Sequence, residues 1–252
     1  MKKTIAALLT AGLLSIGMQA PTQAKPDARH KPVAAGPRWD RTITMTADGF
    51  PVMGNPNAPV KVVEFISYTC SHCAEFSEES KIPLDAGLVR KGKVSVELRP
   101  FIRISLDQVP TLLALCGRND QYFGNTAALL AAQGTWFKPP ADPGYQARWA
   151  ALESKPTEQR LAVAKDMGLY KLMLDRGYTG AALTACLSDQ TKLDWLNKQT
   201  EYAGTAIHVL GTPSFMIDGV LQDVYGWAEL APRIDAALVA ASMANPVSVR
   251  SK

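Results

Sequence analysis

The stretch VKVVEFISY, residues 60–68, is β-branched and aromatic, broken only by Lys61, Glu64 and Ser67. Apolar residues on both faces predict a central strand covered on both sides. KVSVELRPF, residues 93–101, alternates Val94, Val96 and Leu98 against Ser95, Glu97 and Arg99, which predicts another strand. Between them CAEFSEES reads as a helix that Pro83 kinks or breaks before LDAGLVRKG closes it. Strand, helix, strand at this spacing is a βαβ unit with a parallel pair.

From residue 106 the pattern changes. The chain becomes rich in Ala and Leu, with helical periodicity near 107–117, 121–134, 144–154, 157–167, 179–187 and 190–206. KPPADPG, residues 138–144, is a clear break. Strands return at PSFMIDG and VLQDVYG, and Asp218-Gly219 between them is a two-residue hairpin signal. WAELAPRIDAALVAA follows as a helix with Leu230, Ile234, Leu238 and Ala241 on one apolar face; Pro232 is tolerable only near its first turn. The order β-α-β, helical insert, β-β-α predicts an α/β fold, a mixed sheet with helices on both faces, carrying an all-helical insertion.

The ends differ from this body. MKKTIAALLTAGLLSIGMQAPTQA has the basic start, short apolar run and small residues of a secretory signal peptide cleaved after Ala24. Residues 25–42 are rich in proline and charge and read as a mobile arm. The sequence therefore divides into a signal peptide over 1–24, an arm over 25–42, an α/β domain over 43–105 and 207–243, a helical subdomain over 106–206, and a loose tail over 244–252. Among 252 residues 47 % are hydrophobic and 20 % charged, enough for a sizeable core. Loss of the signal peptide lowers the formal charge from +4 to +2. No cluster of lysine and arginine points to nucleic acid or an anionic membrane.

Export gives the four cysteines their meaning. Cys70, Cys73, Cys116 and Cys186 all follow the cleavage point, in a chain bound for an oxidising compartment where disulfides persist. Of three possible connectivities, local geometry favours Cys70 with Cys73, which leaves Cys116 for Cys186. TCSHC, residues 69–73, follows the predicted strand and opens the predicted helix. At that place the free N–H groups of the first turn and the helix dipole favour a Cys70 thiolate, and His72 can donate to it or oppose its charge. Cys73, one turn on, lies on the same face, more buried, as a resolving thiol. A zinc site lacks a second ligand pair, because His30 lies in the arm and Cys116 and Cys186 have no neighbouring ligand. A purely structural 70–73 bridge would remove little unfolded-state entropy, and haem attachment requires a histidine where Ala74 stands. A bridge between Cys116 and Cys186 closes a long loop and stabilises by roughly 4 kcal/mol in the chain-entropy model; two free thiols are the alternative.

VVEFISYTCSHC, GTPSF at 211–215 and the helical insert between them resemble the DsbA-like branch of the thioredoxin-fold thiol–disulfide oxidoreductases, over about residues 50–242. The resemblance implies a thioredoxin-like fold and disulfide transfer to folding exported proteins that carry thiols. It implies a membrane redox partner, a periplasmic location, and no organic cofactor, metal or nucleic acid. It implies that Pro213 is cis, that Thr212 pairs with extended substrate chain, and that Glu64 is a buried carboxylate exchanging protons with Cys73. An edge-facing Glu64 near solvent is the alternative. Such oxidases commonly carry proline after the first cysteine and valine before the cis-proline, where this chain has Ser71 and Thr212. A disulfide isomerase or reductase kept reduced by a membrane donor is therefore a second reading. A chaperone binding unfolded chains on the helical cap is a third, but binding alone needs no paired thiols.

Overall fold

The computed structural model describes residues 36–137 and 144–244. The expected signal peptide, the expected arm as far as residue 35, residues 138–143 of the expected break and the tail past residue 244 lie outside them. Every regular element among the described residues falls within Arg38–Lys252.

Six strands form one mixed sheet: β1 (Ile43–Met45), β2 (Pro51–Gly54), β3 (Val60–Ile66), β4 (Val94–Pro100), β5 (Ser214–Ile217) and β6 (Val220–Gln222). Their order is β1-β2-β4-β3-β5-β6. β3 and β4 run parallel, as a βαβ unit requires, and the other neighbours are antiparallel. β1 and β2 were not legible in the sequence, because three or four residues are too few to show alternation. Trp39–Arg41, inside the expected arm, forms a 3₁₀ turn instead. Asp218 and Gly219 take φ of 48° and 85°, both positive as a type I′ hairpin turn needs, and join β5 to β6.

β3 is covered on both faces. Val60, Val62 and Ile66 join the main core, while Phe65 packs with Ala203 and Val209 on the other side. By strand alternation Glu64 shares the face of Val62 and Ile66. Over that face runs α1 (Ser71–Ser80), which continues as a π-helical stretch, Lys81–Val89. Pro83 has no N–H to give and crowds the preceding turn, so the ladder widens there, and the Arg90 N–H donates to the Asp85 carbonyl at 3.0 Å, five residues back.

Between β4 and β5 lie α2 (Gln108–Ala114), α3 (Tyr122–Ala131), α4 (Gln133–Trp136), α5 (Gly144–Ala150), α6 (Pro156–Asp166), α7 (Leu169–Asp175), α8 (Gly180–Ser188) and α9 (Gln190–Thr205). α7 was not expected. It is a short helix entered through Gly168, whose φ of 76° ends α6 in the left-handed conformation. Cys116, just past α2, is bonded to Cys186 of α8, with Cα atoms 5.6 Å apart. The last helix, α10 (Trp227–Ala244), holds Pro232 at its sixth residue, deeper than the first turn expected for it. Leu230 and Ile234 of α10 are fully buried.

Candidate active site

Chain direction places Cys70. β3 ends at Ile66, and the loop Ser67–Cys70 turns into α1, with Cys70 as the N-cap in an extended conformation. Its carbonyl accepts from the N–H groups of Cys73 at 3.2 Å and Ala74 at 3.3 Å, which fixes the first turn. Its side chain is left beside the unpaired donors of the helix start. Cys70 Sγ donates to the Thr212 carbonyl at 3.0 Å, from the loop ahead of β5. The Thr212–Pro213 peptide bond is cis. Cys70 and Cys73 are both reduced in this structure, 4 % and 0 % exposed.

The two thiols diverge strongly. Cys70 is pulled down from 9.0 to about 5, first by the hydrogen bond from Cys73, against burial, then by the Thr212 side chain and by the backbone N–H groups of Cys73 and His72. Cys73 is pushed well above 9.0, first by burial and then by its neighbour Cys70. One sulfur is therefore a thiolate at neutral pH and the other a thiol. A low-value thiolate leaves a disulfide readily and makes the disulfide a better oxidant.

His72 departs from expectation. Its imidazole turns outward, 75 % exposed, with Nδ1 3.4 Å from Glu75 Oε2 rather than against Cys70. The second residue of α1 projects its side chain away from the buried face, so only its backbone N–H serves the sulfur.

Glu64 lies on β3 opposite Leu98 of β4 and Phe215 of β5, 6 % exposed. Burial and the nearby Asp85 carboxylate raise it from 4.5 to about 8, so it is largely protonated at neutral pH. Its field reaches Cys73, whose value it also raises.

Two supporting residues carry no clear sequence signal. Asp107, fully buried ahead of α2, accepts from Ser67 Oγ at 2.9 Å and from the Thr69 N–H at 3.0 Å; the Arg103 N–H donates to it at 3.0 Å. Gln133 of α4 donates its amide to the carbonyls of Tyr68 at 2.7 Å and Cys70 at 2.8 Å. The position of Asp107 before a helix reads as an ordinary cap, and nothing local marks Gln133. Among the described residues, no group of three or more His, Cys, Asp or Glu side chains is arranged to hold a metal ion.

A family model described as thioredoxin matches residues 46–236. The crystal structure of protein-disulfide isomerase from Novosphingobium aromaticivorans superposes with a TM-score of 0.69 at 35 % identity, over 74 % of this chain and 96 % of that one. Wolbachia pipientis alpha-DsbA1 superposes with a TM-score of 0.58 at 20 % identity, over 79 % of this chain and 96 % of that one, a likeness of fold. A Rickettsia bellii protein named "Putative protein-disulfide oxidoreductase" is 26 % identical over 187 residues, 74 % of this chain. The chain spans only 64 % of that relative's length. Sheet order, cysteine placement and these likenesses agree: the chain belongs to the thioredoxin family.

Proposed function

We propose that the chain is an exported thiol–disulfide oxidoreductase that passes a disulfide from Cys70–Cys73 to thiols of folding proteins. The observation that carries this reading is the opposed pair of thiols, Cys70 near 5 and Cys73 well above 9.0, at the start of one helix. A substrate thiolate attacks Cys70 Sγ of the oxidised pair. The Cys70–Cys73 bond breaks, Cys73 leaves with the electron pair, and a mixed disulfide forms at Cys70. Cys73 takes a proton from the Glu64 carboxyl. A second substrate thiolate then attacks the substrate sulfur of the mixed disulfide, and Cys70 leaves as a stabilised thiolate. Two substrate thiols have lost two electrons, and the pair has gained them.

Substrate chain pairs with the backbone of Thr212, as strand addition beside a cis-proline. A membrane redox partner reoxidises the pair, the site requires no organic cofactor or metal, and the signal peptide delivers the chain to the periplasm. The bridge between Cys116 and Cys186 holds the helical subdomain together.

Two observations favour a second reading, isomerase or reductase. Threonine precedes the cis-proline, and the solved relative at 35 % identity is named a protein-disulfide isomerase. Thiol trapping of the protein from its native compartment decides between them. A mainly oxidised 70–73 pair supports the oxidase, and a mainly reduced pair supports the isomerase or reductase. Full exchange activity in Cys70→Ser would sink both.

A further inference from the structure

Beneath α1, on the Glu64 face of β3, lies a cavity of about 670 Å³. Glu64, Ser77 and Ser80 of α1, and Asp85 of the π-helical stretch all line it. Cys73, Ser77 and Ser80 follow one another at helical spacing on a single face of α1, so the cavity begins one turn beyond Cys73. Glu64 is 6 % exposed and makes no hydrogen bond or ion pair among the described residues. A buried carboxyl without a protein partner is costly unless it is neutral or reached by water. A cavity of this volume, with four carboxyls and three hydroxyls on its wall, satisfies the size and polarity that internal water needs.

Charge around the cavity is mixed. Asp40 and Arg41 come from the 3₁₀ turn, Lys81 and Asp85 from the π-helical stretch, Asp120 from the turn before α3, and Arg176 from the end of α7. Arg176 is committed to Asn125 Oδ1 at 3.1 Å. Tyr68 and Tyr122, also near Glu64, are raised chiefly by burial and stay neutral. Asp85 is the other carboxyl whose field reaches Glu64, and it is half-buried where Glu64 is closed in.

We propose that Asp85 is the outer relay of a proton path running from solvent through cavity water to Glu64 and on to Cys73. This rests on the role given to Glu64 above. As Cys73 leaves, the Glu64 O–H proton moves to Cys73 Sγ and, in the same step, protonated Asp85 passes its proton through water to Glu64, so that no charge is left on the buried carboxyl. Asp85 then regains a proton from solvent, and no electrons move in either transfer. Burial raises Asp85 from 3.8 to about 6, against the pull of Lys81, while Glu64 stands near 8, so the transfer from Asp85 to Glu64 runs downhill.

The test is single-turnover reduction of the oxidised full chain by a thiol peptide, followed from pH 5 to 9 in H₂O and D₂O. Asp85→Asn should slow the step in which Cys73 leaves by on the order of tenfold, part of what a general acid contributes, with a larger isotope effect. Asp85→Glu should restore it. The Cys70 thiolate titration, read by ultraviolet absorbance, should not move, as a merely structural defect would move it. Adding Asp85→Asn to Glu64→Gln should cost nothing more. The infrared carbonyl band lost in Glu64→Gln gives a second readout: its titration midpoint should fall in Asp85→Asn or Asp85→Ser, because a like charge has gone. An unchanged profile and midpoint in the Asp85 variants, while Glu64→Gln alters the profile, overturns the relay and leaves Glu64 in place. An unchanged profile in Glu64→Gln, with Cys70→Ser inactive, removes Glu64 and the relay together but leaves the thiol chemistry standing.

Discussion

Raising the pH from 4 to 8 should stabilise the reduced protein relative to its Cys70→Ser variant. Cys70 is depressed in the fold, from 9.0 to about 5. An acid whose folded value is depressed contributes stability present above its unfolded value and lost as pH falls through its folded one. The contribution is thus absent below pH 5, grows by about 1.4 kcal/mol per pH unit above it, and is complete near pH 9. At pH 7 the shift corresponds to at most about 2.7 kcal/mol. Solvent at the mouth of the site screens part of it, which leaves roughly 1–2.5 kcal/mol. Because the thiolate exists only in the reduced state, the same energy makes the disulfide more oxidising, by roughly 20–50 mV for a two-electron couple.

The assay is urea unfolding of both proteins, reduced under anaerobic conditions, at half-unit pH steps, beside the thiolate absorbance titration. Glu64 and Asp85 also shift, but they are common to both proteins and cancel in the difference. Cys73 is raised, so its effect falls above pH 9 and outside the window. A stability difference flat from pH 4 to 8, or a thiolate midpoint near 9, would refute the claim that the Cys73 hydrogen bond, Thr212 and the helix start hold a thiolate at Cys70.

Cys73→Ser should trap thiol substrates as mixed disulfides at Cys70, visible as mass adducts on non-reducing gels. Glu64→Gln should stabilise the fold increasingly between about pH 4.5 and 8, since a raised carboxyl opposes folding over that window and the amide cannot ionise; denaturant midpoints across that range test it. Replacing Cys116 and Cys186 together by alanine should cost up to about 4 kcal/mol in thermal or denaturant stability without abolishing exchange. Gln133→Ala should leave the buried Tyr68 carbonyl without its donor and take one of three from the Cys70 carbonyl, cost about 1–3 kcal/mol, and shift the Cys70 titration.

The legible parts of this fold share one property: each was announced by contiguous residues. β3 and β4 show in β-branched runs, the hairpin in Asp218-Gly219, and the cysteine pair in a strand followed by a helix. Glu64 stood out as an acid inside an apolar strand, and it is buried. β1, β2 and α7 were silent because each is short and held by pairing or packing with distant chain. His72 was placed correctly along the chain but not around the helix, and the outward direction of its ring depends on where α1 begins. Asp107, Gln133 and Asp85 gave no signal because their partners are distant in sequence: Gln133 reaches Cys70 across 63 residues.

Those distant partners explain why the helices between β4 and β5 bear on the chemistry. The Cys70 carbonyl accepts from the Cys73 and Ala74 N–H groups along the helix and from Gln133 across it. Three donors fix that peptide, and with it the direction of the Cys70 side chain towards Thr212. Asp107 acts one step earlier. Its carboxyl is occupied by Ser67 and by the N–H groups of Thr69, Arg103 and Ile104, so it pins the loop from both sides. Four donors satisfy the buried carboxyl and stiffen the loop that it holds. A thiolate held by oriented N–H groups gains most when those groups need not reorganise as the charge forms. The helices between β4 and β5 therefore act on Cys70 through the backbone, by holding the N-cap in the one conformation where the sulfur meets the helix start.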